Sequence, residues 1–277
     1  MPVPKRALLI GHPLGHSLSP AFHTAAFRAA GIDATYRLAD VLPENLAATV
    51  AALRAADVYG ANVTVPYKQD VLPFLDALSD EATTLGAVNT IVNDNGRLTG
   101  LNTDGPGFAA DIRAQGIVVT GRPVVLLGAG GAARAVAAAL VGMAVGRLMI
   151  ANRTPERASA IQRQYPAIAT ATGITDHELT DILPDVALLI NATSVGLHGD
   201  EIPIAAELLA RLPPTATVYD LIYRPTALLR AARQRDLRAV DGLGMLIHQG
   251  ALAWEAWTGR AAPLDVMWQA ARGARST

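Results

Sequence analysis

The polar residues with chemistry to offer lie where short apolar runs end. Ser17 and Ser19 follow the run 7–11 and stand beside Pro20. Asn62, Thr64 and Lys68 fall in Gly-Ala-Asn-Val-Thr-Val-Pro-Tyr-Lys, where Asn62 and Thr64 alternate with two valines and so share one face of a strand. Asn89 lies in Gly-Ala-Val-Asn-Thr-Ile-Val, and Asn102-Thr-Asp104-Gly closes the next run. Such groups are costly to bury unless they meet one another or a ligand. In α/β sheets ligands bind outside the carboxyl ends of strands, so four strand ends delivering these groups predict a site for a small polar molecule. A helix opening at Pro20 would let Ser17 and Ser19 receive a carboxylate, although N-capping by Ser19 accounts for that serine equally well. Taken by itself, Lys68 is an ordinary solvated lysine.

A second constellation reads Val-Val-Leu-Leu-Gly128-Ala129-Gly130-Gly131-Ala132-Ala133, then an alanine-rich run, then Leu-Met-Ile-Ala-Asn152-Arg153-Thr154 with Arg157 a turn later. This is a strand, a glycine turn, a helix and a second strand. Gly128 suits the tight turn, Gly130 admits a pyrophosphate to the backbone, and Ala133 is small enough for helix to pack on sheet. Glycine turns also serve as plain packing devices, but the strand–helix–strand context favours a dinucleotide. Where NAD sites carry an acid for the ribose 2′-hydroxyl, this chain has Asn152 and Arg153, and guanidiniums at 153 and 157 suit a 2′-phosphate. NADP is therefore expected over NAD, with solvated surface charge as the plainer reading of both arginines. Thr193 and Ser194 follow a later strand and should face the same crevice.

These groups need a scaffold of α/β type. Strands are expected at 7–11, 35–38, 60–65, 86–92 and 98–101, with a hairpin at Asp94-Asn95-Gly96. Helices are expected at 21–30 with Ser19 as N-cap, at 43–56, 81–85 and 108–114, and Lys68 falls in the first turn of another. Beyond the glycine unit come a helix at 155–165, strands at 186–191 and 217–221, and helices at 226–235, from 242 to about 257, and at 264–271. The expected architecture is two α/β domains with a cleft between them. Residues 1–104, completed by helices within 241–277, would form the substrate domain, and 105–240 a Rossmann-type doubly wound domain. With 277 residues, 51% hydrophobic, the chain can bury two cores. Twenty-three basic against 24 acidic residues make no case for nucleic acid or an anionic membrane. The absence of cysteine excludes disulfides, thiol catalysis and cysteine–zinc sites, and no metal is expected. The N-terminal apolar run is too short for a signal core, so a cytoplasmic protein is expected.

Gly-His-Ser17-Leu-Ser19-Pro, Ala-Asn62-Val-Thr64-Val-Pro-Tyr-Lys68, Gly-Ala-Val-Asn89-Thr, Asn102-Thr-Asp104-Gly, Gly128-Ala-Gly-Gly-Ala132, Asn152-Arg-Thr154-Pro-Glu-Arg157, Asn191-Ala-Thr-Ser194 and Asp241-Gly242-Leu-Gly-Met245 with Gln249 occur in that order. In this set the chain resembles the shikimate dehydrogenase family over nearly its whole length. The resemblance implies NADP-dependent, reversible reduction of 3-dehydroshikimate to shikimate, a step toward aromatic amino acids. It also implies that Lys68 and Asp104 form the catalytic pair and that Ser17 and Ser19 hold the ring carboxylate. Asn62, Thr64, Asn89, Asp104 and Gln249 would bind the rest of the substrate, and Tyr223 would close over its carboxylate side. To the cofactor residues it adds Leu221, Gly242 and Met245. The segment after Tyr223 is shorter than the family's usual pattern. Two other readings stand beside this one: a quinate or aminoshikimate dehydrogenase, and a dinucleotide-binding regulator without catalysis. The expected partner is a small molecule, and the chain would act as a monomer or homodimer.

Overall fold

The computed structural model describes residues 4–15 and 17–275, so His16 of the first motif lies outside the described residues. The chain divides into two compact units, Met1–Gly107 with Ile247–Thr277, and Phe108–Leu246. These bounds fall a few residues beyond 104 and 240, and glycine packing explains both. A Cβ on Gly107 would stand 2.6 Å from the Gln249 nitrogen, which ties Gly107 to the first unit. One on Gly242 would meet the Leu221 oxygen at 2.0 Å and one on Gly244 the Asp111 carboxylate at 2.0 Å, which ties both to the second.

In chain order the first unit contains β1 (Lys5–Gly11), α1 (Ser19–Ala29), β2 (Ala34–Asp40), α2 (Leu46–Ala52), β3 (Val58–Val63), β4 (Ala77–Leu78), α3 (Asp80–Leu85), β5 (Thr90–Asp94) and β6 (Arg97–Leu101). Its sheet runs β2-β1-β3-β5-β6-β4. The β1, β2 and β3 pairings are parallel, whereas β5 is antiparallel to both β3 and β6. The expected hairpin is present: Asn95 (φ 51°) and Gly96 (φ 91°) are the two left-handed residues that a tight right-twisted turn requires. The expected helix at 43–56 is instead a 3-10 turn, Pro43–Asn45, followed by the shorter α2, whose Val50 is buried along with Leu53 after it.

Alternation along β1 and β3 separates the two faces of this sheet. Ile10, Ala61 and Val63 belong to an apolar cluster with Val50 and Leu53. On the other face Ala7 pairs with Tyr36 and Gly60, and Leu9 with Leu38 and Asn62. The absence of a side chain at Gly60 (φ 151°) is required there, since a Cβ would stand 1.9 Å from the Ile91 oxygen and 2.8 Å from the Trp257 ring nitrogen.

The second unit begins within α4 (Asp104–Ala114), which starts earlier than expected because Asp104 itself is helical. It continues through β7 (Pro123–Leu127), α5 (Gly131–Gly142), β8 (Arg147–Ala151), α6 (Pro155–Gln162), β9 (Ala169–Thr172), α7 (Asp176–Thr180), β10 (Leu188–Asn191), β11 (Thr217–Asp220), α8 (Ala227–Arg233) and β12 (Arg238–Asp241). The wholly parallel sheet is ordered β12-β11-β10-β7-β8-β9, so strand order reverses beside β7, at the end of which the glycine turn sits. Val124 and Leu126 point into one core and Val125 and Leu127 into the other, which is why β7 reads as an unbroken apolar run. Within α9 (Leu243–Thr258) the chain returns to the first unit, where α10 (Leu264–Arg275) packs on α1. No helix among the described residues is long and apolar enough to cross a membrane. Replacing Gly60 by Ala forces a backbone shift in the first unit and should lower its unfolding free energy by about 1–3 kcal/mol, read by denaturant titration.

Candidate active site

The polar set of the first unit centres on Asn89, which is not in a strand as expected. Gly86, left-handed at φ 59°, ends α3, and β5 begins only at Thr90. This places the Asn89 side chain among the strand ends. Its Oδ1 accepts from the Thr103 backbone N–H (2.7 Å) and from the Thr90 (3.1 Å) and Thr103 (3.2 Å) hydroxyls. Its Nδ2 donates to Asp104 Oδ1 (2.9 Å), Thr103 Oγ1 (2.9 Å) and Gln249 Oε1 (3.3 Å). The Thr103 N–H, which can only donate, and the Asp104 carboxylate, which accepts, fix the amide in one orientation.

Asp104 opens α4 with its carboxylate at the positive end of the helix, and its N–H donates to Asn102 Oδ1 (3.1 Å). Asn89 holds one carboxylate oxygen and the Lys68 ammonium donates to the other at 2.5 Å. The two side chains are 17% and 7% exposed, a pairing with limited access to water. Lys68 lies in a series of turns and not in a helix, because Pro66 precedes it and the segment to Val71 makes only turn bonds. The Lys68 carbonyl accepts from Val88 N–H (2.8 Å), which anchors the turn beside Asn89. Nearby, burial raises the pKa of the Glu81 carboxyl, and the negative charge of Asp104 adds to the effect.

Ser17 and Ser19 form a second group. Ser19 is the first residue of α1 and not its cap: Leu18 holds the cap position with no side-chain bond, and Ser17 Oγ accepts from Ser19 N–H (3.2 Å). Thr64 falls just past β3, half-buried, and its N–H donates to the Ile10 carbonyl. Asn62 is on β3 as expected but turns inward. Its Oδ1 accepts from the Tyr36 hydroxyl (2.8 Å), and its Nδ2 donates to Thr90 Oγ1 (3.1 Å) and to the Asn89 carbonyl (3.3 Å). Sequence reasoning passed over Thr90, Thr103 and Tyr36. Thr103 was signalled by its place between Asn102 and Asp104, whereas nothing local marked Tyr36.

In the second unit Gly128 (φ 110°) lies against the Ala192 carbonyl, which a Cβ would approach to 2.9 Å. A Cβ on Gly130 would meet nothing within 4 Å, so the backbone is open there to an incoming group. Gly131 opens α5 without a side-chain cap, while Ala129 and Ala133 are buried and Ala132 partly so. The unpaired N–H groups at that end suit phosphate. At the end of β8, Asn152 Nδ2 donates to the Thr154 carbonyl (2.8 Å), and Arg153, Thr154 and Arg157 are exposed. Neither arginine has an acidic partner among the described residues, so both remain available to an anion. The Thr193 hydroxyl donates to Asn191 Oδ1 (2.7 Å), and Asn191 Nδ2 in turn donates to the buried Asp220 carboxylate (3.0 Å), while Ser194 is exposed. This donor set fits a pyrophosphate and a 2′-phosphate. Leu221 packs through its carbonyl on Gly242, and Met245 is only 7% exposed within the apolar cluster, so Gly242 and Met245 have packing work as well. Tyr223 belongs to the second unit, and burial raises the pKa of its hydroxyl.

Comparison with known proteins adds a separate line of evidence. Family models described as shikimate dehydrogenase substrate binding domain, shikimate/quinate 5-dehydrogenase and shikimate 5'-dehydrogenase C-terminal domain match residues 9–91, 112–198 and 242–272. The shikimate dehydrogenase (NADP(+)) of Symbiobacterium thermophilum is 46% identical over 273 residues, covering 96% of this chain and 93% of its own. That of Moorella thermoacetica is 44% identical, covering 94% and 90%. Among solved structures, the shikimate 5-dehydrogenase of Thermus thermophilus in complex with NADP(H) and shikimate aligns with a TM-score of 0.88 at 40% identity, covering 98% of this chain and 99% of that one. The central amide can be tested directly. Asn89→Ala leaves buried donors and acceptors unmatched and should reduce stability by about 1–3 kcal/mol in chemical denaturation.

Proposed function

Because the chain belongs to the shikimate dehydrogenase family, we propose that it catalyses the reversible, NADP-dependent reduction of the ring ketone of 3-dehydroshikimate to shikimate. The observation that carries this reading is the Lys68–Asp104 pair, held from behind by Asn89 and largely withdrawn from water. NADP, when bound, supplies or accepts the hydride. Gly128, Ala129, Gly130, Gly131 and Ala132 would hold its pyrophosphate. Asn152, Arg153, Thr154 and Arg157 would take the 2′-phosphate, and Thr193, Ser194, Leu221, Gly242 and Met245 would flank the remainder.

The protein's own residues would handle charge and protons. As the carbonyl carbon is reduced, negative charge grows on its oxygen, and the Lys68 ammonium is suited to stabilise and protonate that oxygen. Asp104 orients the ammonium through Oδ2, while Asn89 keeps its other oxygen from turning away. In the reverse direction the same pair accepts the proton of the substrate hydroxyl. Ser17 and Ser19, at the start of α1, would receive the ring carboxylate, and Thr64, Asn89 and Gln249 the ring hydroxyls. Asn62 serves better as a brace between strands, since its amide faces Tyr36 and Thr90.

The family description that names quinate alongside shikimate favours one second reading, oxidation of quinate on the same scaffold. A regulator without catalysis would have no use for a lysine so held. We place the protein in the cytoplasm, in keeping with a chain that lacks cysteine, and as a monomer or homodimer to be decided by sizing. A panel of shikimate, quinate and aminoshikimate with NADP and with NAD tests the whole assignment: shikimate with NADP should give the highest kcat/KM. Tight NADPH binding with no oxidation of any of the three would favour the regulator. Lys68→Ala should fold and bind both ligands while kcat falls by about 10²- to 10⁴-fold, and retained turnover would remove Lys68 from its role. Replacing Arg153 and Arg157 by Ala should raise KM for NADP by about tenfold or more while leaving KM for NAD nearly unchanged.

A further inference from the structure

In the second unit the ends of β10 and β11 are joined through one carboxylate. Asp220 closes β11 and is fully buried, and no cation pairs with it among the described residues. Three donors hold it instead. Asn191 Nδ2 (3.0 Å) and the Ile222 N–H (3.1 Å) donate to Oδ1, and the Thr226 hydroxyl donates to Oδ2 (2.7 Å). Burial raises the pKa of this carboxyl, and the three hydrogen bonds oppose the rise. A buried acid without a counter-ion is costly, and packing alone would be served as well by an apolar residue of similar size. What the acid adds is direction: its oxygens accept, so the Asn191 amide turns Nδ2 toward it.

Asn191 Oδ1 therefore faces the segment after β10, where it accepts from the Thr193 N–H (3.0 Å) and the Thr193 hydroxyl (2.7 Å). That hydroxyl accepts in turn from the Val195 N–H (3.1 Å). At the far end of the segment the Gly196 carbonyl accepts from the Arg224 guanidinium (3.0 Å). Residues 192–196 are thus fastened at both ends, and the Thr193 proton is committed within the loop. Ser194 stands exposed between the fastenings, and neither its N–H nor its hydroxyl has a partner among the described residues. The loop also borders the glycine turn: a Cβ on Gly128 would stand 2.9 Å from the Ala192 carbonyl oxygen and 3.2 Å from the Thr193 methyl group. Strand order reverses between β7 and β10, so the two loops line one crevice.

We propose that Asp220 is a positioning residue for the cofactor: acting through Asn191 and Thr193, it holds residues 192–196 so that the Ser194 hydroxyl donates to the dinucleotide where it passes over the glycine turn. This rests on the reading above that a dinucleotide occupies that turn. Thr193 then shapes the loop, and Ser194 makes the contact. The contact falls on the part of the cofactor that NADP and NAD share, whereas Arg153 and Arg157 address the 2′-phosphate.

The test follows NADPH binding to the full chain by nicotinamide fluorescence, together with steady-state kinetics. Asp220→Ala should raise Kd for NADPH and KM for NADP about tenfold. KM for NAD should rise by a similar factor, while kcat and KM for shikimate stay within about threefold of wild type, a split that general loosening of the fold would not produce. Asp220→Asn, whose amide oxygen the Ile222 N–H would hold in the place of Oδ1, should bring Kd back to within about threefold of wild type. Ser194→Ala should show the same loss as Asp220→Ala, and combining the two should add no more than about twofold, because the acid acts through the serine. An unshifted Kd in Asp220→Ala, a further full tenfold in the double variant, or an equal rise in KM for shikimate overturns the inference. If Asp220→Ala does not fold, Thr193→Val, which removes only the last link, is read against Ser194→Ala in the same way. Wild-type protein that binds no NADPH overturns the dinucleotide reading and this inference together, whereas tight binding by wild type with unshifted variants overturns the inference alone.

Discussion

A primary amide has two donors on one side and an acceptor on the other, and a buried one must match both. Asn89 meets that condition with partners from three parts of the chain: Thr90, the neighbours Thr103 and Asp104, and Gln249. The orientation of the Asp104 carboxylate follows from it, and the position of the Lys68 ammonium follows from the carboxylate. A carboxylate and an ammonium that meet in water exchange partners freely, and exposed pairs of this kind contribute little. With Asn89 behind the acid, the pair is held in a single geometry, as the proposed proton transfer would require. Preorganisation of this sort is what makes a fixed charge useful to a developing one.

The two units solve different problems with different residues. The first gathers side chains, so its strand ends are rich in amides and hydroxyls and its sheet is mixed. The second offers backbone at its glycine turn, which the proposed dinucleotide site would use. Glycine is therefore required at Gly128 for its dihedral and for its closeness to the Ala192 carbonyl, Gly130 leaves open space beside the backbone, and Ala133 is fully buried at the start of α5.

Features governed by local constraints were legible in the sequence. The Asn95-Gly96 turn and the glycine turn depend on dihedral preferences within a few residues. The doubly wound order followed from unbroken apolar strands alternating with helices. What stayed hidden depended on distant partners. Asn89 reads like a mid-strand residue until Gly86 is seen to turn left-handed, and its bond to Gln249 spans 160 residues. Lys68 differs from any other lysine only through Asp104. Tyr36 looks like one half of a strand alternation, because neither His23 nor Asn62 is near it in sequence. The strand β9 was missed because Ala-Thr-Ala-Thr has no apolar run to betray it.

The return of the chain to the first unit also sets an order of events during synthesis. The second unit is one continuous segment and can fold as it emerges. The first cannot be completed then: α1 packs on α10, the Arg260 guanidinium donates to the Ala30 carbonyl across 230 residues, and the Trp257 indole reaches back to the Ile91 carbonyl. Until the last helices are made, the Tyr36–His23 stack lacks the cover of Trp257. The segment made first is thus the last to be finished, and it spends the longest time exposed to chaperones and proteases.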